Sequence, residues 1–211
     1  MATEFVQWRA ESAPLSAAVA CLRRGGLLVY PTETVYGIGT ALSAGAAGIE
    51  RLRSAKDSPS GRPYLLLVGD AEQAFSLWSQ VPAVARVLAQ RHWPGALTMI
   101  GPAAAGLPTQ LLGTVPSPAG PVDTLSVRVP GDERIRDLIT ELGEPVLSTS
   151  ANRRGAAPPA QFRDVDLGTL APDLAIDAGT CLGGQPSTLV SLMGESPLVL
   201  RQGDLRLDAS P

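Results

Sequence analysis

Residues 25–39 read Gly-Gly-Leu-Leu-Val-Tyr-Pro-Thr-Glu-Thr-Val-Tyr-Gly-Ile-Gly. Leu27 to Tyr30 is a short, unbroken apolar run, the pattern of a strand buried on both faces. Gly25-Gly26 stops whatever helix precedes it. Pro31 to Gly39 then reads as a loop rich in hydroxyls and bounded by proline and glycines. Upstream, Leu15 to Arg24 carries Val19 and Leu22 at helical spacing with alanines between them. Downstream, Ala44 to Ala55 predicts a second helix, ending at Ser54-Ala55-Lys56. Helix, buried strand, polar loop and helix in succession are the repeating unit of an α/β sheet.

The alternation continues outward. Strands are expected at Tyr64–Val68, Ala96–Ile100, Thr124–Val129, Pro145–Thr149, Leu174–Asp177, Ser187–Leu192 and Leu198–Arg201. Helices are expected at Ala71–Trp78, Ala83–Arg91 and Glu133–Leu142. Gly101 to Pro121 is dense in Gly, Pro and Ala and reads as a long surface loop. No internal repeat or heptad interrupts the series. The expected fold is a twisted mixed sheet flanked by helices, in one domain over residues 1–211.

Composition narrows the function. Hydrophobic residues are 45% of the chain and charged residues 18%, which suits a globular core rather than a disordered segment. No apolar run approaches the ~20 residues of a membrane span. The N-terminus lacks a basic segment leading into an apolar one, so the expected location is cytoplasmic, with no membrane contact. Cys21 and Cys181 form no CxxC pair, and His92 is the single histidine, so no protein-held metal is predicted. The net charge of −3 argues against a protein whose main task is to grip nucleic-acid backbone. Lys56 is the single lysine among 17 cationic residues, and Asn152 is the single asparagine. Lysine differs from arginine where a compact point charge must meet a phosphate.

Four polar loops follow strand or helix ends: Thr32–Gly39, Lys56–Arg62, Ser148–Asn152 and Gly183–Thr188. Such loops are where α/β sheets bind ligands. They supply hydroxyls (Thr32, Thr34, Ser148, Ser150, Ser187, Thr188) and one ammonium, a set suited to phosphate. None is a Walker A loop, and Gly37-x-Gly39 lacks the third glycine of a dinucleotide fingerprint. Without GxSxG, and with the one histidine beside Trp93-Pro94 at a helix end, a serine hydrolase is disfavoured. Each residue also has a plainer role open to it. Thr32 and Thr34 can serve their own turn, Lys56 can be a solvated helix-end lysine, and Ser150 and Asn152 can form a turn or cap.

Six separated motifs resemble those of the YrdC family. They are Pro31–Gly39, Trp93-Pro-Gly-Ala-Leu-Thr98, Ser126-Val-Arg-Val-Pro130, Ser148-Thr-Ser-Ala-Asn152, Pro186-Ser-Thr-Leu-Val190 and Leu200-Arg-Gln-Gly203. The resemblance runs from about Leu15 to Asp204 in the family's order. It implies a YrdC-like fold, a twisted α/β sheet around a concave cleft. It also implies synthesis of L-threonylcarbamoyladenylate from L-threonine, bicarbonate or CO2, and ATP, with release of pyrophosphate. ATP is then a substrate, accompanied by Mg2+. The product would feed a complex that modifies adenosine 37 of tRNA.

By position, the resemblance puts Thr32, Arg128, Ser148 and Ser187 at threonine and Lys56, Thr124, Ser150 and Arg201 at ATP. Lys56, Ser150 and Asn152 are the implied catalytic set. The family's KxR signature is broken, because Ser58 stands where arginine is expected, with Arg62 further along the loop. The chain stops soon after Arg201, as the family's short form does. Two other classes stand beside this one. One is a double-stranded RNA or tRNA-binding module, for which weak RNA binding would be the trace. The other is a diverged carbamoyl-transfer domain, as in hydrogenase maturation proteins, whose acylphosphatase and zinc-finger-like segments do not accompany it here.

Overall fold

The structure, a computed structural model, describes residues 3–8, 13–57 and 63–207. The apolar run of residues 27–30 forms β2 (Leu28–Tyr30), fully buried. Before it, α1 (Ala13–Arg23) lays Ala18, Val19, Cys21 and Leu22 against the sheet. The chain leaves α1 through Gly25 at φ 70°, a left-handed turn that glycine enters without a Cβ penalty.

The loop expected over residues 31–39 ends earlier than its glycines suggest. Gly37–Ala41 is β3, antiparallel to β2, pairing Tyr30 with Gly37 and Leu28 with Gly39. Both glycines are strand residues for a packing reason. The Tyr30 ring lies across them, and a Cβ on Gly37 would sit 2.9 Å from its Cε2. A Cβ on Gly39 would collide with the Leu147 carbonyl. Glycine inside a strand marks such close approach.

The remaining elements are α2 (Gly45–Ala55), β4 (Leu65–Leu67), α3 (Ala71–Ser76), α4 (Ala83–His92), β5 (Leu97–Pro102), β6 (Gly113–Val115), β7 (Val122–Arg128), α5 (Glu133–Leu142), β8 (Val146–Ser150), α6 (Leu167–Leu170), β9 (Leu174–Asp177), β10 (Thr188–Ser191) and β11 (Leu198–Arg201). A further strand, β1 (Glu4–Gln7), pairs in parallel with β9. The strands form one mixed sheet in the order β1-β9-β2-β3-β8-β4-β7-β5-β10-β11, with β6 beside β7. This is the twisted mixed sheet with flanking helices that the alternation predicts.

Helix α5 shows why the better predictions held. Ile135, Leu138, Ile139 and Leu142 fall on one buried stripe, Asp132 caps the start, and Gly143 ends it at φ 83°. The long loop of residues 101–121 is more ordered than its composition suggests. Leu111 is fully buried in a single 3-10 turn, and the next residues pair with β7 as β6.

Two cores flank the sheet unequally. Residues of α2, α3 and α4 pack with Leu66, Leu97, Met99, Leu125, Val127 and Leu147 on one face. On the other, α1 and α5 cluster around Leu28, Tyr30, Ala41, Leu67, Val146, Leu174 and Ile176. The rest of that second face stays open as the cleft.

Candidate active site

Strand periodicity puts polar groups into the cleft. Where Leu97 and Met99 face the core, Thr98 and Ile100 face the opening. Where Leu125 and Val127 face the core, Ser126 and Arg128 face the opening. The resulting cleft is about 690 Å3, lined by residues of β3, β4, β5, β7, β8, β10 and β11 and by the loops between them. That is within the size range of small-molecule sites.

Lys56 closes one part of it. It sits just past the C-terminus of α2 and is only 7% exposed, so it is not the solvated helix-end lysine that the sequence left open. Its ammonium donates to the Ser150 carbonyl, to Thr149 Oγ1 at 3.3 Å and to Asn152 Oδ1 at 3.5 Å. Ser150 Oγ also bonds Asn152 Oδ1. Asn152 Nδ2 donates to the carbonyls of Arg153 and Ala156, both at 2.8 Å. The single lysine and the single asparagine therefore belong to one network, 96 residues apart in the chain.

Arg128 lies on β7, two strands from β8, and is 4% exposed. Its Nε donates to the Gly95 carbonyl at 3.0 Å, both Nη atoms donate to Thr34 Oγ1 at 3.2 Å, and Nη2 pairs with Glu33 at 2.5 Å. The Trp93-Pro94-Gly95 motif thus delivers a carbonyl to the guanidinium. Thr32 Oγ1 donates to the Val35 carbonyl at 2.7 Å and accepts from the Thr34 and Val35 amides, so it organises its own turn while lining the cleft.

Ser148 Oγ accepts from the Tyr30 hydroxyl at 2.6 Å. Burial pushes the Tyr30 phenol well above its ordinary value, so it stays a neutral donor. The ring reaches Ser148 by crossing Gly37 and Gly39, which explains the Gly-x-Gly pattern without a dinucleotide. Ser187 Oγ shares a 2.7 Å hydrogen bond with Thr98 Oγ1, and Arg201 donates to the Ser187 carbonyl at 2.9 and 3.3 Å. Under the Thr32 turn lies Cys181, whose thiol burial pushes up while the Thr32 amide opposes it.

Of the predicted site residues, Thr32, Lys56, Arg128, Ser148, Ser150, Asn152, Ser187 and Arg201 all line this cleft. Thr124 is the exception. It is buried beside Gly113, on the same face of β7 as Ser126 but outside the described lining. Ser58 and Arg62 lie outside the described residues. Thr98, Ser126, Thr149 and Arg154 also line the cleft without having been singled out. For Thr98 and Ser126 the signal was present, a polar residue alternating with core residues along a buried strand.

Lys56, Arg128, Arg154 and Arg201 line the cleft, and no carboxylate appears in its described lining. Such a surface attracts anions, phosphates above all. Among the described residues no cluster of His, Cys, Asp or Glu could hold a metal ion, and no helix is long and apolar enough to cross a membrane.

A family model for the Sua5, YciO and YrdC proteins, described as telomere recombination, matches residues 20–203. The chain belongs to this family. It is 33% identical over 205 residues to the threonylcarbamoyl-AMP synthase of Pyrococcus abyssi, covering 96% of this chain and 58% of that protein. It is 32% identical to the enzyme of the same name from Bacillus subtilis, covering 90% of this chain and 54% of that one. The chain thus spans a little over half the length of these curated relatives. Among solved structures, P. abyssi Sua5 complexed with L-threonine superposes with a TM-score of 0.83 at 30% identity, over 96% of this chain and 58% of that one. Escherichia coli YciO superposes with 0.81 at 28% identity, over 96% of both chains.

Proposed function

We propose that this family member makes L-threonylcarbamoyladenylate from L-threonine, bicarbonate or CO2, and ATP, and releases pyrophosphate. The observation that carries the reading is a single cleft, free of carboxylates in its described lining, that joins a backed arginine fork to a hydroxyl-rich, cationic region around Lys56. The names of the relatives, and the L-threonine in the P. abyssi Sua5 structure, support the choice of amino acid and product.

In this reading the amino acid lies among Thr32, Arg128, Ser148 and Ser187, its carboxylate accepting a charge-assisted hydrogen bond from Arg128. The amine adds to CO2 and loses a proton, giving an N-carboxylate. One of its oxygens attacks the α-phosphorus of ATP, and the bond to the β-phosphate oxygen breaks to release pyrophosphate. Lys56 and Arg201 stand at the nucleotide, with Ser150 and Asn152 holding the Lys56 ammonium. That fixed charge offsets negative charge that builds on the phosphates during transfer. Thr124 lies past Ser126 along β7, so a nucleotide touching it must extend that way.

Mg2+ is the expected companion of ATP. The described lining supplies no anionic ligand for it, so the phosphates and water would hold it, as is common for this ion. The rest of the reading is a single domain in the cytoplasm, whose product passes to a tRNA-modifying complex and whose own RNA binding is weak.

The test is a pyrophosphate-release assay with ATP, Mg2+, bicarbonate and L-threonine, each omitted in turn. Release that needs both bicarbonate and threonine is the expected result. Release without threonine points to another acceptor and overturns the assignment.

A further inference from the structure

We infer that Glu33 is a positioning residue that holds the Arg128 guanidinium from behind, in a space that Gly131 keeps open. The inference deepens the functional reading above and rests on it for the identity of the amino acid.

Arg128 lines the cleft, whereas Glu33 does not. The two form a largely desolvated ion pair, with Arg128 5% and Glu33 21% exposed at the side chain. Glu33 Oε1 accepts from Nη2 at 2.5 Å and Oε2 accepts from the Asp132 amide at 3.3 Å, so the carboxylate is itself held. Its backbone is tied too, since the Glu33 carbonyl accepts from the Gly183 amide at 2.8 Å. With Gly95 and Thr34, Glu33 uses four of the five guanidinium N–H groups on contacts among the described residues. The contacts fix the guanidinium plane and leave Nη1 an N–H to spend on a ligand. An arginine so held loses little freedom on binding a carboxylate.

Gly131 supplies the room. A Cβ there would lie 2.9 Å from both Cδ and Oε1 of Glu33. Those atoms are the end of a flexible side chain, so alanine at 131 should displace the carboxylate at small cost in stability. Gly131 is not at positive φ, so alanine fits its backbone.

The experiment compares wild type with Gly131→Ala, Glu33→Ala and Glu33→Gln, reading the KM values for L-threonine and ATP, kcat, and the Arg128 Nε–H signal by NMR. A displaced guanidinium should raise the threonine KM by about tenfold, since sub-ångström misplacement of a binding group costs on this scale. Gly131→Ala and Glu33→Ala should both show that rise with the ATP KM within about twofold, and both should broaden or shift the Arg128 signal. Glu33→Gln keeps one acceptor oxygen for Arg128 Nη2 but sets an amide N–H against the Asp132 amide, so it should recover only part of the affinity. An unchanged threonine KM in both alanine variants, in an enzyme that needs threonine, overturns the inference. If wild type shows no threonine-dependent release, the functional reading fails. The NMR arm then decides Glu33 alone: a signal unmoved by Gly131→Ala overturns it.

Discussion

Replacing Gly37 by alanine tests the packing that gives this sheet its cleft. The added Cβ would stand 2.9, 3.1 and 3.3 Å from Cε2, Cζ and the hydroxyl of Tyr30. Tyr30 cannot swing aside, because its ring is fully buried and its hydroxyl is tied to Ser148 at 2.6 Å. Overpacking of this kind costs about 1–3 kcal/mol. Gly→Ala at a compatible backbone returns about 0.4–1 kcal/mol by restricting the unfolded chain. The net loss should be about 1–2 kcal/mol, or roughly 2–8 °C in Tm for a chain of this size. Chemical denaturation of Gly37→Ala, Tyr30→Leu and the double variant forms a cycle. The clash predicts that Gly37→Ala costs about 1–2 kcal/mol less when Tyr30 is already leucine. An equal cost in both backgrounds, within about 0.5 kcal/mol, would refute the idea that the glycine makes room for the ring.

Tyr30→Phe removes only the donor to Ser148 and should cost about 1 kcal/mol, read as a Tm drop of roughly 2–4 °C by calorimetry. The Cys21 thiol is pushed up to about 11, chiefly by burial and then by Asp173. The folded state therefore holds a proton that the unfolded chain gives up near its ordinary value of 9.0. That stabilisation is complete below pH 9 and should be lost between about pH 9 and 11, by at most 2–3 kcal/mol, with Cys21→Ala flattening the loss in denaturation measured across that range. Lys56→Met leaves the acceptors at Thr149, Ser150 and Asn152 without their ammonium. Pyrophosphate release should fall by about 10²–10³-fold, the scale of removing one electrostatic donor, and wild-type turnover in this variant would remove Lys56 from the proposed chemistry.

Much of this molecule was legible in one dimension. The stripe of α5, with its Asp132 cap and Gly143 stop, needs nothing beyond residues 132–143 to be read, and the α/β alternation follows from similar local signals. The cleft residues were legible as polar loops after apolar runs, with Lys56 and Asn152 marked by their rarity. Other features had no local signal. β1 is four mostly exposed residues that become a strand only because β9 offers an edge. Gly37 and Gly39 read as loop breakers, because propensity cannot know that the Tyr30 ring lies over them. Glu33 looked like one acid in a hydroxyl-rich loop, and its partners Arg128 and Asp132 are 95 and 99 residues away. Periodicity and turn chemistry act over a few residues, so the sequence by itself determined the elements and the residue types available to the site. Which hydroxyl meets which cation depends on strand order and on which half of a sheet face its helices leave bare, and those are properties of the packed chain alone.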